Sequence, residues 1–210
     1  MDTEGMSVLL RGLVIGVSIA APVGPIGLLC IRRALADGMA AGLATGLGAA
    51  TADAVYGAIA GFGLAAVSAL ILDAQVPLRL VGGLLLLWLA WGTLRAAPAQ
   101  AAARVDGGRG LAGAFASTFF LTLANPATII SFAAVFGALG VGSAGGGYAA
   151  TAMVAGVFLG SALWWLILTA GVGLVRARVT PALMRWINRT SGAVLGGFGL
   201  AALASLVVGG

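Results

Sequence analysis

Six apolar runs, each long enough to cross a bilayer, restrict the folding of this chain more than any other feature. They lie at about 7–30, 39–64, 77–95, 111–137, 148–174 and 186–208, and a hydrocarbon core takes roughly 20 apolar residues per helix. A run such as Leu84-Leu85-Leu86-Leu87 does not alternate, whereas the strands of a membrane barrel must. The runs therefore read as helices. Only 8% of residues are charged against 61% hydrophobic, while a soluble domain carries about 25% charged residues to keep its surface wet. The chain reads as one all-α integral membrane domain, residues 1–210. A hydrophilic interruption at about 96–110 separates a first half, about 7–95, from a second, about 111–208.

The arginines set the expected orientation. Arg32 and Arg33 follow the first run, Arg95, Arg104 and Arg109 the third, and Arg176, Arg178, Arg185 and Arg189 the fifth. The opposite side has Arg11 and Arg79 alone. Basic residues concentrate in cytoplasmic loops, so both termini are expected outside. These arginines are dispersed around apolar runs rather than gathered beside groove-reading elements, and no nucleic-acid partner is expected. The head of the chain has Asp2 and Glu4 before Arg11, which is not the basic head of a cleaved signal peptide.

Composition also removes much of catalysis. The sequence has no His, no Lys and one cysteine, Cys30, so His-based triads, zinc motifs and Schiff-base chemistry are excluded. An aspartyl protease needs paired carboxylates, and Asp53 is the one acid inside a predicted span. Neither an enzyme, a cofactor nor a metal site is expected.

A weak internal repeat runs through the chain. Displaced by 110 residues, Arg79-x-x-Gly82 falls on Arg189-x-x-Gly192, and Gly61-Phe62-Gly63-Leu64 falls on Gly171-Val172-Gly173-Leu174. Displaced by 104, Ala21-Pro22 meets Asn125-Pro126. Three helices per half is an odd number, so the second half enters from the opposite face. That is the inverted-repeat arrangement of many secondary transporters. The expected fold is six transmembrane helices as two inverted three-helix repeats, the first helix of each broken.

Residues 19–28, Ile-Ala-Ala-Pro-Val-Gly-Pro-Ile-Gly-Leu, place two prolines and two glycines deep in the first run. Each proline removes a donor and frees a carbonyl. Such breaks persist in a membrane only within protein or beside a watery cavity, and Pro22, Gly24 and Pro25 are candidate substrate- or ion-binding positions. Asn125 and Pro126 form the counterpart in the fourth run, followed by Thr128 and Ser131. Asn125 could serve a zwitterion or cap the second half-helix. Asp53 lies near the middle of the second run, where a carboxylate costs at least about 2.5–3.5 kcal/mol to insert. Proton carriage and binding of a substrate ammonium both suit it. Tyr56, at i+3, shares its face and could donate to it.

Glycine pairs such as Gly12-x-x-x-Gly16, Gly42-x-x-x-Gly46, Gly57-x-x-x-Gly61, Gly156-x-x-x-Gly160 and Gly192-x-x-x-Gly196 allow close helix approach. Internal packing is the first reading of them, with a homodimer as a further option. Trp88, Trp91 and Trp186 read as interface anchors beside lipid. Trp164 and Trp165 sit too deep for that, and packing is favoured over lining a substrate path.

Taken together, these residues resemble the LysE/RhtB exporters. The resemblance rests on the stretch from Gly16 to Leu35, an acid in the second run, Leu87-Trp88-Leu89-Ala90-Trp91-Gly92 and Asn125-Pro126, and it covers essentially the whole chain. It implies a multi-pass protein of the bacterial inner membrane that exports amino acids or related small metabolites, driven by an ion gradient. It also implies that Gly24, Pro25, Asp53, Asn125 and Pro126 occupy the family's motif positions. Many members have a lysine after the Asn-Pro pair, where this chain has Ala127, and some have a compact Pro-Gly-Pro, where this chain reads Pro22-Val23-Gly24-Pro25. Lysine specificity is therefore not carried across. The leading expectation is a proton-driven secondary exporter working by alternating access. The alternatives are an exporter of another solute, such as a metal ion, and a non-transporting membrane scaffold.

Overall fold

The structure, a computed structural model, describes residues 3–22, 24–62, 75–95, 109–125, 128–129, 131–132 and 147–208. Its seven long described helices are α1 (Thr3–Ala20), α2 (Pro25–Ala36), α3 (Met39–Gly61), α4 (Gln75–Arg95), α5 (Arg109–Leu123), α6 (Gly147–Arg176) and α7 (Pro181–Val208). No strand occurs among the described residues. At 30 residues α6 is long and apolar enough to cross a membrane alone, and α1 with α2 qualifies as one bent span. At 23, 21 and 28 residues, α3, α4 and α7 reach the required length.

The proline pattern breaks the first predicted span. α1 stops at Ala20, and α2 restarts with Pro25 in its first turn and Gly24 as an N-cap without a side-chain bond. The two helices are bent by 82°. Proline fits the first turn because the donor it lacks is unpaired there anyway. α2 then continues past the expected end of the span at residue 30. Its cap, Asp37, donates its backbone N–H to the Arg33 carbonyl, and Gly38, at φ +100°, makes the reversal into α3.

Arg32 and Arg33 are therefore helical residues and not loop charges. The Arg33 guanidinium donates to the Ala114 carbonyl at 3.0 Å, to the Thr45 and Thr118 hydroxyls at 3.2 and 3.1 Å, and to Ser117 at 3.0 Å. It ties α2 to α3 and α5. Arg32 donates to Asn188 on α7, and Arg176 on α6 donates to the Leu35 and Ala36 carbonyls at the end of α2. Hydropathy ends the span at the first charge, but the helix runs on because these cations find neutral acceptors inside the protein.

α6 packs on α1 and α3, α3 also on α5, and α4 on α7, while α2 lies against α3, α6 and α7. The glycine pairs work within the molecule. Gly12 and Gly16 on α1 face Gly156 and Gly160 on α6 so closely that a Cβ at any of the four would strike backbone. Gly46 and Gly57 seat Trp165 and Val157 of the same helix, and Gly83 lies against Gly199 between α4 and α7.

Large apolar side chains face outward, and small hydroxyls are held inside among apolar neighbours. Val14, Trp88, Trp186 and Leu174 are exposed, whereas Thr45, Thr118, Ser161, Thr169 and Ser191 are fully buried. Thr45, Thr93, Thr118 and Thr122 return their hydroxyls to the carbonyl four residues back, which satisfies them without water. A lipid-facing exterior explains both halves of that pattern.

Gly160→Ala is expected to destabilise the protein by about 1–3 kcal/mol, because the added methyl overpacks the α1–α6 contact. Gly171→Ala meets nothing within 4 Å and should be neutral or stabilising by about 0.5–1 kcal/mol. Thermal unfolding of the two variants in one detergent compares them directly.

Candidate functional site

A cavity of about 570 Å³ opens where α1 gives way to α2, a volume in the range of small-molecule sites. Its wall takes in the break itself (Pro22, Gly24 and Pro25), Asp53 of α3, Arg79 of α4, Asn125 beyond α5, Trp165 of α6 and Phe198 of α7. The first hydrogen bond inside α2 runs from the Leu28 N–H to the Gly24 carbonyl at 3.0 Å. The N–H groups of Ile26 and Gly27 precede it, and both residues line the cavity. Backbone donors at a helix start carry partial positive charge and suit an anionic group.

Asp53 is 3% exposed. Its Oδ2 accepts a hydrogen bond from Ser161 Oγ at 2.7 Å, and Ser161 Oγ in turn accepts one from Trp165 Nε1 at 3.1 Å. Ser161 and Trp165 are one helical turn apart on α6, so they share a face. The close seat of α6 on α3, where Gly46 meets the Trp165 ring, brings that face to the carboxyl. The result is a buried acid held by a hydroxyl at the cavity edge, with an indole fixing the hydroxyl.

The second break is built differently. α5 ends at Leu123, and the Asn125 N–H donates to the Thr122 carbonyl at 3.1 Å. The Asn125 carbonyl then accepts from the Ile129 N–H at 3.2 Å, which starts a new turn. Asn125 Nδ2 donates to Thr128 Oγ1 at 3.0 Å. Thr122, Thr128 and Ser131 join Asn125 on the cavity wall.

Of the seven sites expected from sequence, Pro22, Gly24, Pro25, Asp53 and Asn125 share this one cavity. Tyr56 does not. It donates its hydroxyl to the Leu123 carbonyl and stacks on Phe132 at 5.4 Å, so it braces α3 against the end of α5 instead of serving Asp53. Pro126 lies outside the described residues. Ser161 has no role in the sequence-based expectations, Trp165 is assigned there to packing ahead of lining a substrate path, and Arg79 enters only as a charge on the side opposite the basic loops. No sequence signal pointed to Ser161, which lies 108 residues after Asp53 and meets it only through the packing of α6 on α3.

Ser161→Ala should lower stability by about 1–3 kcal/mol, the usual cost of leaving buried polar partners unsatisfied. Trp165→Phe removes only the outer bond and should cost less. Both are read as shifts in the denaturation midpoint of purified protein.

A helical protein with large apolar side chains on its exterior and a cavity at a broken helix fits the class of membrane translocators. Residues 17–206 match the LysE type translocators, and the chain belongs to that family. It is also similar to the Escherichia coli (strain K12) protein named "Uncharacterized membrane protein YahN", with 30% identity over 173 residues, 81% of this chain and 77% of that one. No solved structure matches it.

Proposed function

We propose that the protein is a secondary exporter of amino acids or related small metabolites in a bacterial inner membrane, driven by protons moving inward and working by alternating access. The observation that carries this reading is the single cavity shared by the helix break, the buried Asp53 and Asn125. Substrate enters from the cytoplasm and docks between the two breaks, its carboxylate near the Ile26 and Gly27 N–H groups. Asp53 takes a proton and the substrate ammonium in turn. Because one carboxyl cannot hold both, release of the proton inside frees the site for substrate, and arrival of a proton from outside expels it. That exclusion couples the two fluxes.

The six spans form two inverted repeats in this reading, and the packing supports it. Exchanging first for second half carries the α1–α6 contact onto α5–α3, and it leaves α3–α6 and α4–α7 unchanged; all four contacts are present. α4 and α7 make one group and α1, α3, α5 and α6 another, with the cavity along the seam. Rocking of one group on the other would open it to either side in turn. In this reading both termini lie outside, with the larger share of the arginines toward the cytoplasm as support.

Asp53→Asn is expected to abolish proton-driven efflux while leaving membrane expression intact. Preloaded proteoliposomes under an imposed proton gradient provide the measurement, and near-normal export by the variant would eliminate the role.

A further inference from the structure

The α4–α7 pair presents two different sides. Gly83 and Leu87 of α4 lie against Gly199 of α7, and Ala90 and Leu94 lie against Gly192, so the helices run antiparallel. Gly82 and Leu86, each one residue before a contact position, line the cavity. Leu84, Trp88, Trp91 and Arg95 each follow a contact position by one residue, a turn of about 100° away from it, which carries them to the opposite side. In antiparallel helices the residues that follow the contacts share one side, so Ala193 and Leu200 of α7 join them there. All six are exposed, Trp88 by 66%. Arg95 and Arg189, which lies three residues before Gly192, close this face at one end, and Arg185 lies one turn further along α7.

The arginines at this end differ from those around α2. Arg32, Arg33 and Arg176 donate to acceptors inside the protein. Arg185 and Arg189 have no such acceptor among the described residues, and the Arg95 guanidinium lies 3.8 Å from the centre of the Trp91 ring. Stacking uses the flat face of a guanidinium and leaves its N–H edge for an anion. Neither helix contains an acid.

We propose that this face binds an anionic phospholipid, its phosphate held by Arg95 and Arg189 and its acyl chains lying along Trp88 and Leu84. The assignment stands apart from the export reading. Phosphate oxygens match the two parallel donors of an arginine fork, and basic pockets between membrane helices hold anionic headgroups. Tryptophans beside the arginines suit the boundary between headgroups and chains. A second copy of the chain does not suit this face. A two-fold contact through it, with the axis along the helices, would set Arg95 and Arg189 against their own counterparts, and like charges so placed repel.

Native mass spectrometry of the detergent-purified protein tests this by titration with phosphatidylglycerol and, separately, with phosphatidylcholine of the same chains. Both lipids carry a phosphate, and phosphatidylcholine cancels it with its own ammonium. The first phosphatidylglycerol should bind at least about tenfold more tightly than the first phosphatidylcholine, a factor that one charge-assisted contact supplies. Arg95→Gln combined with Arg189→Gln should bring the two lipids within about threefold of each other. Arg11→Gln combined with Arg178→Gln removes the same charge from exposed positions elsewhere and should keep the preference. If the first double variant cannot be purified folded, Arg189→Gln decides alone: its preference should fall by at least about threefold, and an unchanged preference overturns the assignment. Equal affinity of the wild type for both lipids overturns it, as does a preference lost equally in the Arg11 and Arg178 variant, which reports net charge alone. Inorganic phosphate, which has no chains, should leave the lipid bound at equal concentration; displacement by it gives the arginines to a free anion and overturns the proposal. A dimer that forms without lipid and dissociates on Trp88→Ala gives the face to a second copy and overturns it as well.

Discussion

The nearness of α6 to α1 and α3 underlies the arrangement around the cavity. Four glycines let the backbones of α1 and α6 touch, and in a bilayer such contact is a main source of cohesion because burying apolar surface from lipid gains little. The same seating brings Ser161 to 2.7 Å from Asp53. It also leaves Gly46 as the recess that receives the Trp165 ring. A bulkier residue along this line would move the hydroxyl away from the acid before it disturbed anything at the acid itself.

The break between α1 and α2 follows a related economy. Interrupting a helix exposes donors and carbonyls that lipid cannot satisfy, and here the exposed start of α2 faces a cavity whose largely apolar wall also carries Asp53, Thr122, Asn125 and Thr128. At its other end α2 is closed by Arg176, which covers the Leu35 and Ala36 carbonyls. One end of the short helix thus meets the cavity and the other is sealed by side chains. Arg33 and Arg32 fasten the sealed end to α3, α5 and α7.

The positions of the helices and of the first break were legible from sequence because hydropathy and proline act locally. α3, α4 and α6 fall within a few residues of the predicted spans. The end of α2 was not legible, since whether a helix can continue through Arg32 and Arg33 depends on acceptors contributed by α5 and α7. Asp53 could be singled out by depth alone, but its partner could not. Tyr56 shares its helix face and was the local choice, yet the hydroxyl goes to Leu123. Ser161, distant in sequence, becomes the neighbour through a crossing that only the tertiary arrangement fixes.

That crossing makes one hydroxyl answer to two helices. Ser161 Oγ receives the Trp165 N–H from its own helix and gives its proton to Asp53 on the other. A slide of α6 along α3 by one helical turn, about 5.4 Å, would part the hydroxyl from the acid while leaving the bond to the indole whole. The serine therefore travels with its own helix, and the carboxyl keeps this donor only while the two helices hold their register.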